Sequence, residues 1–268
     1  MKEYYLTNKI CYRANHLSGK KTLIFIHGLS GSSSAWERYE KHFEKEYNLL
    51  VPDLRSHGKS FKPSKYNDYK IKNMAEDLQA LVKHEDIRKF ILISHSFGNL
   101  VSLEFLKRHD SMVEKMVLLS ASHDPSKRLI AKILKPFLIM SSNLDFIPIK
   151  KQGHHVDYCK YIMTSDWNIL RIIDDVRNTT LRGFLYGLLQ SYYVDSYDFL
   201  SNIKQPTLII HGDKDTIFPL KHAMEMRKSI KNCKINIIRG GNHIIVLNCF
   251  KEVSKLIREF VSEGGSSC

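Results

Sequence analysis

Six short apolar runs recur along the chain, and each one ends in a turn-forming or chemically reactive residue. They occupy residues 21–26, 47–51, 90–93, 116–119, 207–210 and 235–238. Their ends read His27-Gly28, Pro52-Asp53, Ser94-His95-Ser96, Ser120-Ala121, His211-Gly212-Asp213 and Gly240-Gly241-Asn242-His243. Continuous rather than alternating runs are the pattern of strands buried on both faces. Amphipathic helical segments at 34–43, 74–83, 100–107, 222–230 and 250–261 separate them. Strands alternating with helices specify a mostly parallel sheet covered on both sides. In such sheets chemistry gathers at the carboxyl ends of the strands, where the Gly, Ser, His and Asp residues above fall. Residues 1–17 read as an antiparallel pair added at one edge.

The alternation stops between about 124 and 201. That stretch is helical in pattern, has no convincing buried strand, and is rich in large apolar residues such as Leu134, Phe137, Trp167, Phe184 and Tyr192. A helical insertion that returns to the sheet near residues 200–206 accounts for it. The 268 residues are enough for one large core with such an insertion.

Composition narrows the function classes. No apolar stretch is long enough to span a membrane, and the first residues lack a signal-peptide pattern, so a cytoplasmic protein is expected. Five scattered cysteines without Cys-x-x-Cys spacing give neither a disulfide framework nor a zinc site, and four of them read as small buried hydrophobes. The fifth, Cys268, belongs to residues 264–268, which read as a flexible tail. The formal charge of +13 invites an anionic partner. Its lysines, however, are spread over the chain, with no basic arm or nucleic-acid motif, so a solvated basic surface is the preferred reading.

Ser94-His95-Ser96-Phe97-Gly98 follows a buried run and opens a helical one. A serine on that sharp turn is lifted above the sheet with its hydroxyl exposed, at a helix N-terminus that favours negative charge. The bland alternative is a serine capping a helix. A hydroxyl nucleophile needs a base, and His243 sits after the last strand where two glycines let the chain turn inward. His27 precedes a glycine-containing loop and is expected to brace it. The base in turn needs a carboxylate. Asp215, deep in the loop after residues 207–210, is the first choice. Asp213 more plausibly bonds its own turn, and Asp124 is a further reserve. A tetrahedral oxyanion requires two preorganised N–H donors. Phe97, next to the serine, and Leu29, in His27-Gly28-Leu29-Ser30-Gly31, are the candidates.

These segments, with Pro52-Asp53-Leu54-Arg55-Ser56-His57-Gly58 and Gly241-Asn242-His243, resemble the α/β-hydrolase superfamily over nearly the whole chain. The resemblance implies an eight-stranded, mostly parallel sheet with helices on both faces and a helical cap after the sixth strand. Residues 1–123 and 202–263 would form the core and 124–201 the cap. It carries a catalytic triad onto Ser96, Asp215 and His243 and makes 53–60 a structural turn. Two departures are Ser94 and Ser56, which stand where the family usually has glycine. A serine at the elbow disfavours the epoxide hydrolase and haloalkane dehalogenase branches, which use aspartate there.

The implied function is hydrolysis of carboxylic esters with small to medium apolar acyl or alkyl groups, through an acyl-enzyme. A thioesterase, a lactonase or a carbon–carbon bond hydrolase could use the same triad, and a non-catalytic small-molecule receptor is the reading from another class. No metal or organic cofactor is implied, and the partner is a small-molecule ester. Residues 128–140 are basic and amphipathic and could lie on an anionic membrane. The favoured reading is a cap helix, kinked near Pro136, with its apolar side toward the pocket.

Overall fold

A computed structural model describes residues 1–7, 9–127, 129–142 and 153–263. The tail at 264–268 and Arg128 of the basic segment lie outside the described residues. In chain order the elements are β1 (Lys2–Leu6), β2 (Ile10–Ala14), β3 (Thr22–Ile26), α1 (Glu37–Phe43), β4 (Asn48–Pro52), α2 (Ile71–His84), β5 (Phe90–His95), α3 (Phe97–His109) and β6 (Val113–Leu119). Then follow α4 (Leu129–Ser142), α5 (Ile169–Thr179), α6 (Leu181–Ser191), α7 (Tyr197–Leu200), β7 (Thr207–Gly212), α8 (Leu220–Ser229), β8 (Cys233–Ile238), α9 (Ile245–Asn248) and α10 (Phe250–Ser262).

The eight strands form one sheet in the order β1-β2-β4-β3-β5-β6-β7-β8. The β1–β2 and β2–β4 pairings are antiparallel, and the pairings from β4 through β3 to β8 are parallel. The expected edge pair at the N-terminus is thus present.

Alternation along each strand divides the core between two faces. In β3, Leu23 and Phe25 join Trp36, Tyr39 and Phe43, together with Ile257 and Phe260 of α10. Ile24 and Ile26 point the other way, to Met74 and Leu78 of α2, Leu100 and Leu103 of α3, and Met226 of α8. Helix α10 buries Val253, Ile257, Phe260 and Val261, one stripe at three- and four-residue spacing. Each large side chain so buried contributes roughly 1.5–3 kcal/mol before entropy.

Three expectations need correction. The last run, 235–238, is not buried on both faces: β8 is an edge strand, and Ile237 is 42 % exposed. The segment 34–43 is not one α-helix, because a 3-10 turn at Ser33–Trp36 precedes α1. The four cysteines are not uniformly buried, since Cys159 is exposed and Cys249 half-buried while Cys11 and Cys233 are inside.

Between β6 and β7 the described residues are helical, comprising α4–α7 and short 3-10 turns. Ala131 and Leu138 of α4 pack against Leu189 of α6 and Tyr192. Helix α4 runs through Pro136 and exposes Ile133, Phe137 and Met140. Only part of its apolar surface therefore turns inward. The insertion is bound to the sheet by named polar contacts. Asn178 Nδ2 donates to the carbonyls of Ser30 and Gly31 at 3.1 and 3.0 Å. His155 Nε2 donates to the buried Asp53 carboxylate at 2.8 Å. Among the described residues no helix is long and apolar enough to cross a membrane.

Candidate active site

Four strand ends converge on one point of the carboxyl edge. Strand β3 leads into His27-Gly28-Leu29, β5 into Ser96, β7 into the loop carrying Asp215, and β8 into the loop carrying His243. β5 and β8 stand three positions apart in the sheet, and the loop after β8 reaches back past Ser120 at the end of β6 to bring His243 to Ser96, 147 residues earlier in the chain.

Ser96 has φ 52° and ψ −118°, outside the favourable regions for a residue with a Cβ. Such a conformation costs about 1–3 kcal/mol. Its amide donates to Leu119 O at 3.0 Å, which holds the turn in place. Helix and strand are close enough here that a Cβ on Gly98 would stand 2.6 Å from His27 O. Ser94, where the resemblance leads one to expect glycine, is fully buried, and its Oγ donates to Asn99 Oδ1 at 2.7 Å. Asn99 Nδ2 then donates to Leu119 O at 2.9 Å. The extra hydroxyl is thereby absorbed into the bonding of the elbow. Ser56, the other departure, has φ 70°, which explains why glycine suits that position.

Ser96 Oγ lies 2.7 Å from His243 Nε2. His243 Nδ1 lies 2.8 and 3.0 Å from the two carboxylate oxygens of Asp215. A ring nitrogen between two carboxylate oxygens carries the proton, which leaves Nε2 as the acceptor for the serine hydroxyl. Asp215 Oδ1 also accepts the amides of Ile217 and Phe218 at 2.8 and 2.7 Å. Burial pushes the Asp215 carboxyl up, but the charge and hydrogen bond of His243 and the Phe218 amide outweigh it and hold it below its ordinary value.

The structure thus brings together the three residues singled out from sequence and leaves the reserves elsewhere. Asp213 does not bond its own turn: its Oδ1 accepts the Gly240 amide at 2.7 Å, tying the acid loop to the histidine loop. Asp124 is occupied by the Ser126 amide and hydroxyl. His27 braces its loop as expected, accepting the Leu54 amide on Nε2 at 3.0 Å and donating from Nδ1 to Gly28 O at 2.8 Å. Asp53 accepts the Lys59 amide at 2.8 Å, closing the 53–60 turn, and the Ser33 amide at 2.7 Å, tying that turn to the segment after β3.

Leu29, Ser96 and Phe97 line one cavity together with His243. Phe97 is the first residue of α3, so its N–H has no acceptor inside the helix. The cavity, about 340 Å³, is walled chiefly by apolar side chains, among them Leu100, Leu134, Phe184, Leu188 and Phe218. Arg171 and Asp175 also reach its wall, paired to each other at 2.8 Å. Burial raises the Asp175 carboxyl to about 7 despite Arg171.

Sequence reasoning missed two neighbours of His243. The His95 ring donates from Nε2 to His243 O at 2.9 Å, and burial together with the adjacent His243 lowers its pKa to about 3. Asp166, from the insertion, accepts the His243 amide at 2.7 Å. Asp166 stands in no recognisable motif, and His95 lies inside the Ser94–Gly98 elbow, but nothing in the sequence shows which way its ring points.

One group of side chains among the described residues has the spacing of metal ligands: Glu3, Cys11 and His155. His155 Nε2 there is already bound to Asp53, and burial, with Asp53 nearby, pushes the Cys11 thiol up to about 12, far from a ligating thiolate.

The fold defines a class: a family model described as the alpha/beta hydrolase fold matches residues 21–156 and 151–248, and the chain belongs to that family. Among individual relatives, it is 26 % identical over 249 residues to a "Putative esterase/lipase" of Haemophilus influenzae, covering 90 % of this chain and 83 % of the relative. It is 24 % identical over 262 residues to "Epoxide hydrolase 3" of Xenopus tropicalis, covering 90 % and 71 %. Among solved structures it superposes on MGS-M2, an alpha/beta hydrolase enzyme from a deep-sea metagenome library, with TM-score 0.77 at 20 % identity, covering 100 % of this chain and 99 % of that one. An enol-lactonase from Burkholderia xenovorans gives TM-score 0.73 at 18 % identity over 95 % and 96 %. At these identities the structural likeness speaks for the fold alone.

Proposed function

We propose that this protein is a serine hydrolase that cleaves carboxylic esters of small to medium apolar acyl or alkyl groups. The observation that carries the reading is the hydrogen-bonded line from Ser96 Oγ to His243 Nε2 and from His243 Nδ1 to Asp215, at the mouth of an apolar cavity. His243 takes the hydroxyl proton as Ser96 Oγ attacks the acyl carbon. The carbonyl oxygen becomes an oxyanion held by the Leu29 and Phe97 amides, reinforced by the positive end of α3. When the intermediate collapses, the C–O bond to the alcohol breaks and His243 returns the proton to the departing oxygen. Water, deprotonated by the same imidazole, then attacks the acyl-serine and releases the acid. The net reaction is ester plus water to acid plus alcohol.

Asp215 fixes the tautomer throughout and stabilises the imidazolium formed in each half-reaction. Residues 124–201 act as the cap, and its Leu134, Phe184 and Leu188 form the wall against which the acyl or alkyl group packs. A volume of about 340 Å³ lies at the small end of ligand cavities and suits short or medium groups. The relative named as a putative esterase/lipase agrees with this reading. The one named as an epoxide hydrolase does not extend to it, because the elbow residue here is a serine rather than a carboxylate.

The test is turnover of a p-nitrophenyl ester series by wild type, Ser96→Ala and His243→Ala. The expected outcome is activity that falls by about 10⁵–10⁶ in both variants, as deletions of coupled triad members do. Variants that keep wild-type rates would mean the wrong nucleophile and base.

A further inference from the structure

Asp166 sits in the insertion, seventy-seven residues before His243 in sequence, and is 5 % exposed. Its two oxygens divide between the two loops of the site. Oδ1 accepts the His243 amide at 2.7 Å. Oδ2 accepts the amide and the hydroxyl of Thr216 at 3.0 and 2.7 Å. Thr216 is the residue after Asp215, so one carboxylate references both ends of the Asp215–His243 hydrogen bond. Thr216 Oγ1 in turn accepts Trp167 Nε1 at 3.0 Å, and the Asp166 carbonyl accepts Arg171 at 2.5 Å. Both Trp167 and Arg171 line the cavity.

The segment bearing Asp166 is anchored independently. Thr164 O accepts from Asn242 Nδ2 and Asn248 Nδ2, both at 2.9 Å, and the Met163 amide donates to Asn248 Oδ1 at 2.7 Å. This part of the insertion is therefore a strut against the histidine loop. From the other side His95 and Ser120 Oγ both donate to His243 O at 2.9 Å. The main chain of His243 is clamped on its N–H side by the insertion and on its carbonyl side by the sheet.

We propose that Asp166, which also borders the cavity, is a positioning residue, by which the insertion sets the distance between His243 and Asp215 through the amides it accepts. The inference rests on reading Ser96, His243 and Asp215 as the reacting set. An imidazole on a loop that begins Gly240-Gly241 has little local restraint, so its placement depends on such tertiary bonds. A shift of the order of 1 Å costs about 10²-fold in rate.

The experiment compares wild type, Asp166→Asn, Asp166→Ala and Thr216→Val by three readouts. These are steady-state turnover of p-nitrophenyl butyrate, the rate at which a fluorophosphonate labels Ser96, and the downfield proton resonance of the His243 Nδ1–Asp215 hydrogen bond. For Asp166→Ala the expected result is a kcat and labelling rate lower by about 10- to 100-fold, KM within about twofold, and a displaced or broadened resonance. Asp166→Asn keeps an oxygen for the His243 amide but sets an NH2 against the Thr216 amide, so it should recover only part of the loss, with Thr216→Val between it and wild type. A wild-type resonance in Asp166→Ala overturns the proposal, whether or not activity or Tm falls, since Asp166 would then only hold the insertion to the sheet. Wild-type protein that fluorophosphonate fails to label would overturn the serine-hydrolase reading instead, while the resonance comparison still decides the role of Asp166.

Discussion

Gly98 is the second residue of α3, and it lies against the end of β3 that carries the Leu29 loop. A Cβ built on it would stand 2.6 Å from His27 O and 2.7 Å from Ile26 O, both backbone atoms that no rotamer change can remove. To reach a tolerable 3.0–3.4 Å the helix start and the strand end must part by about 0.4–0.8 Å in Gly98→Ala. Those two pieces of backbone bear the Phe97 and Leu29 amides, so the displacement acts directly on the span between the proposed oxyanion donors. Scaled from the cost of a 1 Å misplacement, it should lower kcat by about 6- to 40-fold. That range corresponds to about 1.1–2.2 kcal/mol of lost transition-state stabilisation. Overpacking should also remove about 1–3 kcal/mol of stability. Because the oxyanion exists only along the reaction path, KM should change little. The assay is ester hydrolysis read beside urea denaturation. Reduced stability with unchanged kcat, or a rise in KM alone, would refute the reasoning, because either would place the helix shift away from the donors.

Two further outcomes follow from the same contacts. Ser94→Ala removes the donor to a buried Asn99 oxygen and should cost about 1–3 kcal/mol in urea denaturation while kcat stays within about threefold; a neutral effect on stability would mean the elbow tolerates the empty bond. Burial drives the rings of His57 and His95 to bind protons more weakly than in the unfolded chain, His57 well below the ordinary 6.5 and His95 to about 3. Their contribution is therefore complete above pH 6.5 and is lost as pH falls below it, because the unfolded chain takes up protons that the folded chain does not. Between pH 7.5 and 5.0 His95 should remove about 2 kcal/mol, with His57 adding to the loss in the same direction, and a urea midpoint that stays flat over that interval would contradict the burial of neutral rings.

The fold was legible because its signal is local. Five of the six apolar runs are strands buried on both faces, and the reactive residues follow them directly, so positions such as Ser96 and Asp215 could be named from a strand and what ends it. The run at 235–238 misled because edge position is a property of sheet order, which no single segment contains. Asp213 misled for a similar reason, since its partner Gly240 lies 27 residues away, in the loop after the next strand. Asp166 gave no signal at all. It stands in a polar stretch, Thr164-Ser165-Asp166, which by pattern is an ordinary loop, and its meaning comes only from the amides it meets. The inward face of α4 was likewise half legible: Leu134 reaches the cavity, but the exposed Ile133, Phe137 and Met140 share the same apolar pattern.

These failures have a common physical cause that also bears on how the site is built. A nucleophile, a base and an acid can be supplied by single residues at strand ends, and sequence displays them. Holding them to within a fraction of an ångström requires satisfying the backbone of the loops they ride on, and that is done by residues from other elements. His243 illustrates the division. Its imidazole answers to Asp215, its amide to Asp166, and its carbonyl to His95 and Ser120. Four bonds from four segments fix a residue whose own neighbours, Gly240 and Gly241, contribute freedom rather than restraint. Gly240 turns the chain at φ 74°, and Gly241 meets the other loop closely: a Cβ on Gly212 would lie 2.1 Å from Gly241 O, and one on Gly241 3.1 Å from Gly212 Cα. Close approach demands glycine, glycine removes local order, and the order must then be restored through space. On this argument the insertion does two jobs: it walls the cavity, and through Asp166 it takes part in placing the base. Changes in its 163–167 strut should therefore appear in kcat, whereas changes in its apolar wall should appear in substrate preference.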